Sequence, residues 1–217
     1  MLQRLEGRNL LIVGSPGSGK TTLAKMLLAI APRALVIDPH VEYGMDHVEN
    51  FRTAAEWLHE TRDEPGQLLY IPTSQNPEIE VDRLLVVIEY VQRNAMREGN
   101  ADPFAVFIEE ASAVSETHEI LPQMRRLYNQ GRRWGVCLVV IAQVDTDIHR
   151  LTRRNSQLIV AMRALGVSSD LKRLVGDTDN LTALTPGTHP ENGTHYVTAP
   201  EGVDVLEWWQ DTCLARV

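Results

Sequence analysis

Six runs of branched and aromatic residues, four to seven long, recur along the chain with almost no polar interruption. They are Leu10–Val13, Ala34–Ile37, Leu68–Ile71, Phe104–Ile108, Val136–Ala142 and Leu158–Met162. A strand with one wet face alternates apolar and polar residues; continuous runs fit strands buried on both faces. Between them, apolar residues spaced three and four apart predict helices at Lys20–Ile30, Thr53–Thr61, Val81–Glu98, Glu119–Gln130 and Ser169–Val175. This alternation predicts an α/β fold with a mostly parallel central sheet flanked by helices. Toward the end the texture changes. Thr185–Thr194 is rich in turn residues, with Asn192-Gly193 before a short strand at His195–Thr198 and a last strand or helix at Val203–Trp209. No repeat or linker divides the chain, so residues 1–217 are expected to form a single domain.

The first apolar run leads into Gly14-Ser15-Pro16-Gly17-Ser18-Gly19-Lys20-Thr21-Thr22. The spacing GxxxxGK[ST], between a strand and a helix, is that of a phosphate-binding loop. Glycines let backbone N–H groups converge on phosphates, and the helix that follows points its positive end at the same anion. Lys20 is placed to reach the β- and γ-phosphates, and the Thr21 hydroxyl to bind Mg²⁺. ATP with Mg²⁺ is the expected ligand; no NKxD-type guanine-reading motif occurs.

Two more strand ends carry polar chemistry. Phe104–Ile108 runs into Glu109 and Glu110, and Val136–Ala142 runs into Gln143. Glu109 is expected to hold the Mg²⁺ hydration shell and Glu110 to polarise the attacking water. Gln143 can hydrogen-bond the γ-phosphate or that water. Ligands of open α/β sheets bind in the crevice at the strands' carboxyl ends, where all three ends would meet.

Composition narrows the setting. The chain is 43% hydrophobic and 23% charged, the balance of an ordinary globular protein. Its apolar runs are too short to span a bilayer, and its N-terminus does not read as a signal peptide, so a cytoplasmic protein is expected. Cys137 and Cys213 have no metal-binding spacing, and Cys137 lies in an apolar run where packing is its expected role. The seven histidines form no HExxH pair. The net charge is −8, yet Leu121–Arg163 holds eight arginines against two aspartates. That segment is a local positive field in an acidic chain, the property that backbone contact with a nucleic acid requires.

Several blocks together resemble the HerA/FtsK superfamily of DNA-translocating ATPases. They are GSPGSGKTT, ALVIDPHVEYG, FAVFIEEAS, QGRRWGVCLVVIAQ and DTDIHRLTRRNSQLIVAMR, covering about Leu10 to Tyr196. The resemblance implies a RecA-like P-loop NTPase fold of the ASCE class, with the Gln143 strand between those of the P-loop and the acidic pair. It implies Glu109 as the Walker B acid, where many relatives carry aspartate, and Glu110 as the catalytic glutamate. Arg132 or Arg133 falls where the family places an arginine finger acting on the neighbouring subunit's nucleotide. Asp38 and Glu42 match a DPHxEY motif that lines the site. A bare core of this size is similar to the genome-packaging ATPases of tailless icosahedral viruses with internal membranes. That similarity implies a homo-oligomeric ring of six, double-stranded DNA as partner, contacts at a capsid vertex or with membrane proteins, and a location in host cytoplasm or virion. Arg125–Arg126 and Arg150–Arg154 are candidate DNA contacts. A cellular HerA-like, conjugation or plasmid ATPase is the alternative; a small-molecule kinase or a non-catalytic nucleotide switch are further rivals.

Overall fold

The computed structural model describes residues 9–62, 64–99, 102–110, 120–143, 149–162, 196–198 and 205–213. Its strands are β1 (Leu10–Gly14), β2 (Arg33–Ile37), β3 (His47–Val48), β4 (Gly66–Tyr70), β5 (Phe104–Ile108), β6 (Val136–Ala142), β7 (Leu158–Met162) and β8 (Tyr196–Thr198). They form one sheet in the order β3-β4-β2-β5-β6-β1-β7-β8. Seven strands are mutually parallel, and β8 joins β7 antiparallel. All six runs read from the sequence are strands, displaced by at most two residues at either end. β3 escaped because two residues carry no periodicity.

The helices are α1 (Lys20–Ile30), α2 (Phe51–Glu60), α3 (Pro77–Glu98), α4 (Pro122–Gln130), α5 (Arg150–Asn155) and α6 (Val205–Trp208). A 3₁₀ turn, Gly131–Trp134, links α4 to β6, and a π turn, Trp209–Cys213, follows α6. Helix starts are where the structure departs most from the sequence pattern. α2 begins at Phe51 because the Asn50 side chain accepts from the N–H groups of Arg52 and Thr53. α3 and α4 begin with Pro77 and Pro122, whose fixed φ suits the first helical turn. The expected helix from Glu119 therefore starts three residues later. α5 has six residues, fewer than two turns, and was missed. The helix expected at Ser169–Val175 lies outside the described residues.

Alternation along the buried strands divides the core. Leu11, Val13, Val106, Ile108, Leu138 and Val140 face α2, α3 and α4. Leu10, Ile12, Phe107, Val139 and Ile141 face α1 and the C-terminal turn, where Trp209 packs on Phe107 and donates to the Leu27 carbonyl. Cys137 is buried in that second layer. Asn9 fastens the foot of β1 to both neighbours: its Oδ1 accepts from Leu138 N–H of β6 and its backbone carbonyl from Leu158 N–H of β7. With β1, β2, β5 and β6 parallel and side by side, the residues that leave them emerge at one edge.

Candidate functional site: a cleft at the carboxyl edge

Gly14 ends β1 where nothing larger fits, since a Cβ there would lie 2.1 Å from the Met162 carbonyl oxygen of β7. The chain then turns back through Gly17 (φ 72°) and Gly19 (φ 93°), both in the left-handed region that glycine adopts freely. Ser18 N–H donates to the Ser15 carbonyl, and Lys20 Nζ to that same oxygen at 3.1 Å. Burial pushes the Lys20 ammonium below its ordinary value, while Glu109, Glu110 and Glu42 pull it back up.

The second wall is the loop after β2, Asp38-Pro39-His40-Val41-Glu42-Tyr43. Asp38 is completely buried, and its carboxylate accepts from the backbone N–H groups of His40 (2.8 Å) and Glu42 (2.6 Å). Those two bonds hold Val41 at φ 58°, a conformation a β-branched residue adopts only when its surroundings impose it. The folded loop delivers three side chains. Glu42 accepts from Thr21 Oγ1 at 2.8 Å, Tyr43 donates its hydroxyl to Glu109 Oε1 at 2.9 Å, and His40 Nε2 lies 3.0 Å from Glu110 Oε2.

β5 supplies the two acids with opposite surroundings. Glu109 is 4% exposed. Burial pushes its carboxyl up to about 7, with Glu42 and Asp38 adding to the effect while the Tyr43 hydrogen bond and Lys20 oppose it. Burial and the Glu109 charge in turn hold the Tyr43 phenol well above its ordinary value. Glu110 sits further out with φ 43°, and its Oε1 accepts from the amide of Gln143 at the end of β6. β6 pairs with β1 on one side and β5 on the other, so Gln143 emerges between the phosphate loop and the acids.

These parts enclose a cleft of about 320 Å³ lined by Pro16, Gly17, Gly19–Thr22, Asp38, His40, Glu42, Glu109, Glu110 and Gln143. The structure thus brings together the phosphate loop, both acids, the glutamine, Asp38 and Glu42. It does not bring Arg132 and Arg133 there. Both are exposed on the 3₁₀ turn before β6, at the opposite edge of the sheet. The seven residues of β6, roughly 20 Å of strand, separate them from the cleft of their own chain. Arg126 is engaged elsewhere, bonding Glu89 at 2.7 Å and lying over the Trp134 ring. Arg150, Arg153 and Arg154 lie on α5, which leads into the amino end of β7.

His40 and Tyr43 were not singled out from the sequence, although both belong to the DPHVEY block. The available signal was positional, since polar residues directly after a buried parallel strand lie at the ligand-binding edge. The donor set suits a hard divalent cation, with the Thr21 hydroxyl and the Glu42 and Glu109 carboxylates offering only oxygen. Among the described residues no three His, Cys, Asp or Glu side chains form a metal cage of their own. A cation here would share its coordination with phosphate and water, the habit of Mg²⁺.

A loop built for phosphates at the carboxyl edge of a parallel sheet, with acids facing it, is the plan of a P-loop nucleoside triphosphatase. The chain belongs to the AAA domain family, whose model matches residues 3–147. No curated protein matches it in sequence. Among solved structures it is similar to the genome-packaging NTPase B204 of Sulfolobus turreted icosahedral virus 2 bound to ATP-γS. The TM-score is 0.57 and the identity 15%, over 78% of this chain and 80% of that one. EssC (ATPases 2 and 3) from Geobacillus thermodenitrificans matches with TM-score 0.53 and 16% identity, over 96% of this chain and 43% of that one. The bacterial conjugative coupling protein TrwBΔN70 gives 0.51 and 12%, over 74% and 70%. At such identities the likeness is one of fold. Among the described residues no helix is long and apolar enough to cross a membrane.

Proposed function

We propose that this chain hydrolyses ATP as one subunit of a homo-oligomeric ring, of six copies, that moves double-stranded DNA, and that the DNA is a viral genome entering its capsid. The observation that carries the hydrolytic reading is Glu110, held by Gln143 at the mouth of the phosphate-loop cleft. A switch protein needs to bind nucleotide; it does not need a carboxylate oriented from the neighbouring strand. In this reading Gly14–Thr22 bind the phosphates and Lys20 neutralises them. Thr21, with Glu109 and Glu42 behind it, would hold Mg²⁺, which supplies charge neutralisation on the phosphoryl oxygens. Glu110 takes the proton of the attacking water, and Gln143 orients Glu110 or that water. Asp38 shapes the loop that carries His40, Glu42 and Tyr43.

The motor half of the reading is supported by the quoted sequence blocks, by the arginine-rich segment, and by the fold shared with a genome-packaging NTPase. Arg132 or Arg133 of one copy would complete the cleft of the next, since their own cleft is out of reach. The comparable fold likeness to a conjugative coupling protein favours a second reading, a cellular motor of the same kind. A small-molecule kinase fits less well, because its acceptor is the substrate and a water-activating Glu110–Gln143 pair would work against it.

The test is the ATPase rate of a confirmed ring, measured across a salt series with random-sequence duplexes. Duplex DNA of any composition should raise the rate at low salt, and the effect should fade as salt rises, because each neutralised phosphate releases counterions. Rings that hydrolyse ATP yet ignore DNA at every salt concentration would sink the motor reading. Co-purification with a capsid vertex would separate the viral from the cellular setting.

A further inference from the structure

His40 has no part in the assignments above, yet it is the side chain that meets Glu110 from the side opposite Gln143. Its Nε2 lies 3.0 Å from Oε2, while the Gln143 amide takes Oε1. Each oxygen of one carboxylate is therefore held by a different strand end, β2 through its loop and β6 directly. His40 is itself anchored, because its backbone N–H donates to the fully buried Asp38. Glu110 needs such restraint. Its side chain keeps 24% of its surface exposed, so packing alone does not hold it.

We propose that His40 is a positioning residue for Glu110: its Nε2–H donates to Oε2 and, with Gln143 on Oε1, fixes the plane of the carboxylate in the cleft. The inference rests on the reading of Glu110 as the base. A general base works only within hydrogen-bond reach of the proton it removes, and a displacement of about 1 Å can lower a rate on the order of a hundredfold. A glutamate held at one oxygen still swings about that contact. Held at both, it presents one fixed edge to the attacking water. The requirement on residue 40 is thus a donor at the position of Nε2, carried on a backbone that Asp38 holds still.

Two substitutions separate this from other roles. His40→Phe keeps the ring and removes the donor, and His40→Gln places an amide N–H close to where Nε2 stands. His40 is half-exposed, so both variants should melt with the parent protein. On the ring, kcat of His40→Phe should fall about tenfold to a hundredfold, the usual range for losing a group that orients a site residue. KM and the affinity for a non-hydrolysable ATP analogue should stay within about twofold, and His40→Gln should recover most of the rate. In a Glu110→Gln background, His40→Phe should cause no further loss, since there is no base left to position. An unchanged kcat in His40→Phe overturns the proposal. So does a raised kcat, which would mean that His40 restrains an idle Glu110, and so does a loss of nucleotide affinity. Recovery no better in His40→Gln than in His40→Phe likewise rules out the donor role. Near-normal turnover in Glu110→Gln alone removes the base itself and the proposal with it; a dead Glu110→Gln beside an active His40→Phe removes only the proposal.

Discussion

The two ends of β6 carry opposite charges. At the carboxyl edge four carboxylates, Asp38, Glu42, Glu109 and Glu110, line the cleft with Lys20 as its lysine. At the amino edge Arg132 and Arg133 stand exposed on a turn that Trp134 steadies, its ring covered by Arg93 and Arg126. One edge sets four carboxylates around a single lysine and the other exposes two arginines, with the length of β6 in between. Neither edge can relieve the other within one chain. A cleft this acidic accepts a triphosphate only if cations come with it, from the metal that accompanies the nucleotide or from the opposite edge of another copy. In the proposed ring this division of charge would let unlike edges of neighbouring copies meet head to tail.

The sharpest way to break the comparison is to remove the outward charge. If the amino edge serves the next cleft, Arg132→Ala or Arg133→Ala should bind ATP normally and lose turnover in the ring on the order of a thousandfold, as fingers supplied in trans do. Mixing that variant with Lys20→Ala subunits should restore part of the rate at interfaces that pair an intact arginine with an intact cleft. Mixed rings that form and show no rescue at any ratio would leave the arginines without a role in trans.

The next effect belongs to the carboxyl edge alone. Glu110→Gln should lower hydrolysis on the order of a hundredfold while nucleotide binding persists, and Lys20→Ala should weaken the binding itself. A nucleotide titration beside a turnover assay distinguishes them. If Glu110→Gln turns over at the parent rate, Glu110 is not the base, and hydrolysis at the carboxyl edge runs without it.

The sequence was legible where chemistry is local. Gly14, Gly19 and Lys20 act through backbone curvature and reach within one loop, so their spacing betrays them. The parallel strands showed because burial on both faces leaves no polar residue to interrupt them. What stayed hidden depends on contacts far apart in the chain. His40 and Glu110 are 70 residues apart, Tyr43 and Glu109 are 66 apart, and no periodicity records that the sheet order sets β2 beside β5. Asp38 was legible as a residue of the site but not as the brace beneath the loop, because that role follows from its complete burial. The opposite edge was hidden differently. Arg132 and Arg133 were found by resemblance, and only the fold reveals that their own cleft lies beyond β6.

The smallest expected effect tests whether the carboxyl edge carries a standing electrostatic cost. Glu109 is buried among Asp38 and Glu42, and its carboxyl is pushed from 4.5 up to about 7. In the unfolded chain it ionises near its ordinary value. Below about pH 4.5 both states hold the proton and nothing is lost. Between about 4.5 and 7 the folded protein keeps a proton that the unfolded chain has released, so stability falls as pH rises. Above about 7 the folded carboxylate is charged as well, and the penalty stands at its full value, on the order of 3 kcal/mol. Glu109→Gln keeps an oxygen for the Tyr43 hydroxyl and cannot ionise. The stability of Glu109→Gln relative to the parent, measured by urea unfolding of nucleotide-free and metal-free protein, should therefore climb across that window and level off near neutrality. Taking the difference between the two proteins cancels the other titrating groups that they share. A difference that stays flat from pH 4 to 8 would mean that Tyr43 and Lys20 already offset the burial of Glu109, and the contrast between an acid-burdened edge and an arginine-rich one would have no energetic content in the isolated chain.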